Sequence, residues 1–419
     1  MAPVDRPALH APTLPELLEA RARETPTAEG LRFEGRSLAW EELRARVALV
    51  AADLLSLGVR PGDRVALIMP NGLEFPVAWL AIPKVRAVAV PVSVDYKRSD
   101  LAHVLKHSGA VVALTGKDQR GLVEEVGDEC PALAHIRVLE ESTFDSIDGV
   151  SSDDLGVIRS DPADPTTLQY TSGTTGLPKA CVVDHGYWLR LARTVLEAAR
   201  LGADDVLLTA QPQSYMDPSW NLVMALMAGA PLVILPRFSA SRFWAQAREN
   251  QVTFFYCIGA MPLFLLKQPP DPLVDRGHRV RLVYCSGIPA AVHEEMEVRW
   301  GCLWRETYGT TELGVVLLAP PGDGGSVGSG SMGRPVNERQ VRVVEDSGVD
   351  VGEGCTGELL VKGPDRMRGY WDDPVATAAW LQDGWALTGD RVTRLADGGF
   401  ALVGRTKDMI RRAGESVSA

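Results

Sequence analysis

The chain has no two cysteines in C-x-x-C spacing, and its six (Cys130, Cys181, Cys257, Cys285, Cys302 and Cys355) are scattered. Such scatter excludes the common zinc and thioredoxin-type motifs, and several of the thiols lie in apolar runs. Buried, reduced cysteines in a cytoplasmic protein are therefore expected. Nowhere does an apolar run approach the about 18 residues that a membrane helix needs. The start, MAPVDRPALHAPTLPELLEA, has no basic segment leading into an apolar one, so no signal peptide is read there. Positive charge is in deficit, with 43 Lys+Arg against 54 Asp+Glu and a net charge of −11. This disfavours a broad electrostatic grip on nucleic acid or on an anionic membrane. No Walker A spacing, G-x-x-x-x-G-K-[ST], fits anywhere, and no internal repeat stands out. The seven histidines are dispersed; His103, His107, His278 and His293 read as surface residues, and no Ser–His–Asp arrangement is called for.

What is present is a large apolar fraction, 46% of 419 residues, enough to bury a core in more than one lobe. Short apolar runs alternate with helical patterns. RVALIMP (Arg64–Pro70), VAVPV (Val88–Val92), VVALT (Val111–Thr115), DVLLTA (Asp205–Ala210), PLVILP (Pro231–Pro236), VTFFYCI (Val252–Ile258) and VRLVYCS (Val280–Ser286) read as buried strands. SLAWEELRARVALVAADLLSLG, DLAHVLKHSG and SRFWAQAREN read as helices. The alternation predicts an α/β fold with mostly parallel, helix-flanked sheets. An acidic, Ser-rich stretch, Glu141–Pro165, reads as a long surface connection. After about residue 320 the texture changes to glycine-rich turns with short strands (QVRVV, GELLVKG, GGFALVG), which predicts a smaller β-rich subdomain. The expected divisions are residues 1–165 and 166–320 for two α/β subdomains, 321–403 for the β-rich one and 404–419 for a terminal motif.

The stretch Tyr170–Ala180, YTSGTTGLPKA, gathers two glycines, four Ser/Thr hydroxyls and one lysine between a strand and a helical pattern. Backbone N–H groups freed by such turns form anion nests, and Lys179 would add a charged donor. An ordinary polar surface loop has the same composition. These residues alone leave both readings open.

Downstream, in order, come YGTTEL (Tyr308–Leu313), GWALTGD (Gly384–Asp390) and GRTKDMIRRAG (Gly404–Gly414). GDRVALIMPNGLEF lies upstream, and GYWDDPVATAAW lies between YGTTEL and GWALTGD. Together they resemble the adenylate-forming superfamily of acyl-CoA synthetases, luciferases and nonribosomal-peptide adenylation domains, over essentially the whole chain. That resemblance implies two helix-flanked sheet subdomains and a distorted β-barrel. It also implies ATP, Mg²⁺ and, for a ligase, coenzyme A. By the same resemblance Thr171, Ser172, Gly173, Thr174, Thr175, Gly176 and Lys179 form the phosphate loop. Thr311 contacts the α-phosphate and Glu312 holds Mg²⁺. Gly287, Ile288 and Pro289 pack on adenine with Tyr308 opposite, beside Gly309 and Thr310. Glu306 meets the adenine amine, although the family more often has Asn, Gln or Asp there. Asp390 binds the ribose hydroxyls and Arg405 adds a second ribose contact. His185 matches a structural histidine at a helix start. The chemistry needs this set, because a carboxylate attacking phosphorus must overcome the triphosphate's negative charge.

The resemblance places the acyl pocket along QPQSYMDPSWNLVMALMAGA, YCIGAMPLFLL and SGIPA. Tyr215 is the candidate gate. Asp217 is read either as an ammonium partner or as a helix N-cap. Gly259, Gly287, Gly309 and Gly314 would leave room, while Trp220, Ile258 and Met261 would make the walls apolar. The expected acid is therefore bulky and hydrophobic, aryl or polycyclic (terpenoid). FSASRFWAQ and KQPPDP look most like carnitine/crotonobetaine-type CoA ligases. Lys407 matches the family's hinge, and the small C-terminal domain that follows a hinge is not in the sequence. Truncation to one lobe, weakly active alone, is the expectation. Three classes stay open: an acyl-CoA ligase lobe, an adenylation domain loading a carrier protein, and a nucleotide-binding half.

Overall fold

The computed structural model describes residues 7–146, 158–171, 178–405, 409–412 and 415–418. By contact the chain divides into two compact units. The first comprises Met1–Tyr170, Ala180–Arg193 and Leu201–Phe238, and the second Thr171–Lys179, Thr194–Arg200 and Ser239–Ala419.

In the first unit, strand Arg64–Ile68 lies between the parallel strands Val88–Pro91 and Ala110–Thr115. His135–Val138 extends the sheet beyond Ala110–Thr115, and Pro165–Thr171 pairs with Val88–Pro91, again in parallel. Arg64–Ile68, Val88–Pro91 and Ala110–Thr115 are nearly continuous apolar runs, as strands covered on both faces require, whereas His135–Val138 at the edge is exposed or half-buried. A second set joins Leu207–Thr209, Leu232–Ile234 and Glu29–Phe33 in parallel, with Arg36–Ala39 folding back as a hairpin. Helices Trp40–Ser56 and Glu74–Lys84 supply much of the covering, and Trp40, Trp79 and Trp188 are fully buried. His185 opens helix His185–Ala199 and is completely buried. Its Nδ1 accepts from the Leu14 amide at 3.1 Å, anchoring the start of helix Leu14–Glu24. The expected structural role of His185 is what the fold displays.

In the second unit, strands Phe254–Ile258, Leu282–Ser286 and Leu303–Thr310 run parallel. Antiparallel Gly314–Leu318 and Arg334–Pro335 continue them. Phe243, Trp244, Phe255, Trp300 and Trp304 interlock edge-to-face or tilted, with neighbouring centroids 4.9 to 5.8 Å apart, and fill the core behind this sheet. The expected β-rich part is a five-stranded antiparallel arrangement of Gln340–Val344, Thr356–Lys362, Leu381–Gln382, Trp385–Arg394 and Phe400–Arg405. The predicted fold class, parallel α/β sheets plus a smaller β-rich part, is therefore observed.

The Glu141–Pro165 connection opens with a short helix, Glu141–Ser146, whose Glu141 pairs with Arg36 and Arg46. Two expectations are corrected. His293 is buried rather than on the surface: its Nε2 faces the Trp304 carbonyl at 2.9 Å and its Nδ1 accepts from the Gly328 amide. Five cysteines are buried as expected, but Cys355 is exposed, on the turn leading into Thr356–Lys362. Among the described residues no helix is long and apolar enough to cross a membrane.

Candidate active site

Strand Leu303–Thr310 carries LWRETYGT, and the period of two puts Trp304, Glu306 and Tyr308 on one face. Its parallel register sets Glu306 beside Cys285, next to the turn that follows Ser286. There Glu306 accepts hydrogen bonds from the amides of Gly287 and Ile288, both at 2.6 Å. Both carboxylate oxygens are thus engaged by the turn that was expected to pack on adenine. Burial pushes the Glu306 carboxyl up to about 8, and the two amide donors pull it partly back. Gly287 takes φ +101, and Gly259, whose amide donates to the Ser286 carbonyl, packs beside it.

Two residues on from Glu306, the Tyr308 hydroxyl reaches Asp390, which is 2% exposed. Asp390 stands opposite Arg405 in the antiparallel register of strands Trp385–Arg394 and Phe400–Arg405. Arg405 Nε donates to Oδ1 and the tyrosine to Oδ2, so an adenine-side and a ribose-side candidate share one carboxylate. Burial and the adjacent Asp390 charge hold the Tyr308 phenol well above its usual range. It is therefore a donor at any working pH.

The third cluster begins at the turn after Thr310, where Thr311 and Glu312 sit half-buried. The Met367 amide donates to the Glu312 carbonyl at 2.7 Å, and Arg339 Nη2 donates to the carbonyls of Leu313 and Asp365. Glu312 Oε1 accepts from the Tyr370 hydroxyl at 2.8 Å. On the face of the same ring, 5.2 Å from its centre, lies the Lys179 ammonium, which is also 3.8 Å from Asp373 Oδ2. Thr171 Oγ1 bonds the Lys179 carbonyl at 3.4 Å, closing the base of the glycine-rich loop. Ser172, Gly173, Thr174, Thr175 and Gly176 lie outside the described residues, as does Lys407.

A divalent cation fits this donor set. Glu312 Oε2 has no protein partner among the described residues, and it is a hard oxygen at a partly open position. Mg²⁺ takes one or two carboxylates from a protein and completes its shell with phosphate and water. No group of three or more His, Cys, Asp or Glu able to hold a metal gathers among the described residues, so most ligands would come from a nucleotide.

The candidate acyl residues are divided between the units: Tyr215, Asp217 and Trp220 in the first, Ile258, Gly259, Met261, Gly287, Gly309 and Gly314 in the second. Asp217 is not the N-cap of helix Met216–Ala228; Tyr215 takes that place. Asp217 sits in the first turn and accepts from Trp220 Nε1 at 3.2 Å, and burial pushes its carboxyl up to about 6. Gly309 has a structural reason beyond leaving room: a Cβ there would stand 2.2 Å from the Gly314 carbonyl oxygen, at a bulge after Tyr308. Sequence reasoning missed Tyr370 and Asp373 as site residues. The GYWDDP motif is plain in the sequence, but nothing local ties Tyr370 to a glutamate 58 positions earlier.

Residues 18–371 match the profile of the family described as AMP-binding enzyme. Triostin synthetase I of Streptomyces triostinicus is 30% identical over 97% of this chain and 78% of its own length. Feruloyl-CoA synthase of an Amycolatopsis species is 32% identical over 95% of this chain and 79% of its own. Among solved structures, a Mycobacterium tuberculosis fatty acyl CoA synthetase superposes with a TM-score of 0.84 at 25% identity, over 97% of this chain and 81% of that one.

Proposed function

The chain belongs to the AMP-binding enzyme family and is an ATP-dependent, AMP-forming ligase, and from that premise we propose that it activates a bulky aryl or polycyclic carboxylic acid for transfer to coenzyme A. In the first half-reaction a carboxylate oxygen attacks the α-phosphorus of ATP. The bond to the bridging oxygen breaks and pyrophosphate leaves. In the second, the CoA sulfur attacks the acyl carbon and AMP departs.

The observation that supports this reading most is the gathering of Lys179 and Glu312 around Tyr370, beside the loop expected to hold the β- and γ-phosphates. Lys179 offsets charge on the departing pyrophosphate, and Thr311 is poised at the α-phosphate. Mg²⁺ bound through Glu312 supplies further charge neutralisation. Asp390 with Arg405 takes the ribose hydroxyls, and the Gly287–Pro289 turn with Tyr308 takes adenine. Glu306 shapes that turn through its two amide bonds.

Trp220, Ile258 and Met261 are apolar, and the feruloyl-CoA synthase relative is named for an aryl acid. Both support an aryl substrate over a short-chain one. Transfer to a carrier protein in place of coenzyme A is the alternative acceptor for the same acyl-adenylate. The protein would work in the cytoplasm. ATP–pyrophosphate exchange across aryl, polycyclic, short-chain and amino acids tests the activation step, with aryl acids expected to exchange fastest. Exchange stimulated only by amino acids would overturn the substrate assignment. Thioester formation on CoA against a phosphopantetheinylated carrier separates the two acceptors.

A further inference from the structure

We propose that Tyr370 is a positioning residue for the triphosphate subsite, orienting Glu312 through its hydroxyl and carrying Lys179 on its ring. The inference rests on the adenylation reading above and adds to it the part that sets the geometry of its two charged groups.

The two contacts use different parts of one side chain. The hydroxyl donates to Glu312 Oε1 at 2.8 Å, which fixes one carboxylate oxygen and leaves Oε2 for a cation. The ring face carries the Lys179 ammonium at 5.2 Å from its centre. A phenol that donates to a carboxylate becomes richer in electrons, so the first contact strengthens the attraction of the second.

The tyrosine is itself held. Its amide donates to Thr377 Oγ1 at 2.9 Å, and Thr377 Oγ1 donates to the Asp373 carbonyl. Gly369 before it takes φ +143, where a Cβ would press on Thr377 at 2.9 Å. The same segment holds the Glu312 backbone through the Met367 amide. Residues 367–377 thus grip Glu312 at both its main chain and its side chain.

Asp373 completes the arrangement. Its Oδ1 caps helix Pro374–Trp380 by accepting from Ala376, while Oδ2 faces Lys179. Lys179 and Asp373 are 33% and 37% exposed, so the pair is weakly held and the ammonium can transfer to an arriving phosphate.

The test is calorimetric titration of ATP with and without Mg²⁺, and of AMP, on wild type, Tyr370→Phe, Tyr370→Leu and Glu312→Gln. Wild type should bind ATP more tightly with Mg²⁺, and Glu312→Gln should lose that gain. Tyr370→Phe keeps the ring and should cut the Mg²⁺-dependent gain about five-fold, leaving AMP affinity and Mg²⁺-free ATP affinity within about two-fold. Tyr370→Leu should in addition weaken Mg²⁺-free ATP binding about three-fold, because Lys179 loses its support. If Tyr370→Phe keeps the full Mg²⁺ gain while Glu312→Gln loses it, the positioning role is wrong and the adenylation reading stands. If Tyr370→Phe weakens AMP as much as ATP and lowers the melting temperature, Tyr370 is only structural and the inference also falls. Wild type without any Mg²⁺ gain would overturn both.

Discussion

The Tyr308 hydroxyl donates to Asp390 Oδ2 at 2.7 Å, across 82 positions of sequence, while Arg405 donates to the other oxygen at 2.9 Å. A nucleotide that uses Asp390 must share it with both. Asp390→Ala leaves the buried tyrosine hydroxyl and the arginine without their acceptor, so it should cost about 2 kcal/mol of stability. Arg405→Ala should cost less, because that side chain is 29% exposed and water replaces it. AMP titration should rank the two variants in the same order. Equal losses of stability and of AMP affinity would refute the assignment of Asp390 as the principal ribose ligand.

Acid should destabilise the protein through His185. Burial lowers its folded pKa to about 4 from an ordinary value of 6.5. As pH falls between these values, the unfolded chain takes up a proton that the fold refuses, so stability drops, by up to about 3 kcal/mol. Denaturant unfolding at about pH 7 and at about pH 4.5 should show the drop, and His185→Gln should reduce it. An unchanged pH dependence in that variant would rule the residue out.

Glu306 acts at the other end of the scale. Its folded pKa of about 8 stands above the ordinary 4.5, so the folded state keeps a proton that the unfolded chain has already released. Between those values stability falls as pH rises. Glu306→Gln carries a neutral amide that resembles the protonated acid, so it should match wild type within about 1 kcal/mol near pH 5, while its stability should vary less toward alkaline pH. Melting temperature plotted against pH for both proteins makes the comparison. Parallel curves would show that Glu306 does not titrate in this window.

Gly309→Ala should damage the YGTTEL hairpin. The added Cβ meets the Gly314 carbonyl oxygen at 2.2 Å, and a backbone atom cannot swing aside as a side chain can. A loss of roughly 1–3 kcal/mol is expected. Gly322→Ala, with nothing within 4 Å, is the control and should stay within about 0.5 kcal/mol. Denaturant curves that failed to separate the two would show that the bulge absorbs the methyl group.

Much of this architecture was legible because apolar runs and punctuation coincide. VTFFYCI and VRLVYCS became Phe254–Ile258 and Leu282–Ser286 because aromatic and β-branched residues, bounded by turn formers, suit a strand covered on both faces. What was not legible came from contacts distant in sequence. The burial of His293 depends on Trp304 and Gly328, and the partner of Glu312 lies 58 positions away. Glu306 was read as an adenine contact from its place in a motif. Only the register with Leu282–Ser286 reveals that its oxygens meet two amides.

With five thiols enclosed and Cys355 alone exposed, these 419 residues carry one readily alkylated position. A maleimide dye or nitroxide should therefore attach at a single place without prior mutagenesis. Cys355 lies on the turn before Thr356–Lys362, and that strand pairs with Trp385–Arg394, which carries Asp390. A reporter there would sit on the same antiparallel sheet as the candidate ribose ligand. Nucleotide titrations could then be followed spectroscopically on the unmodified sequence.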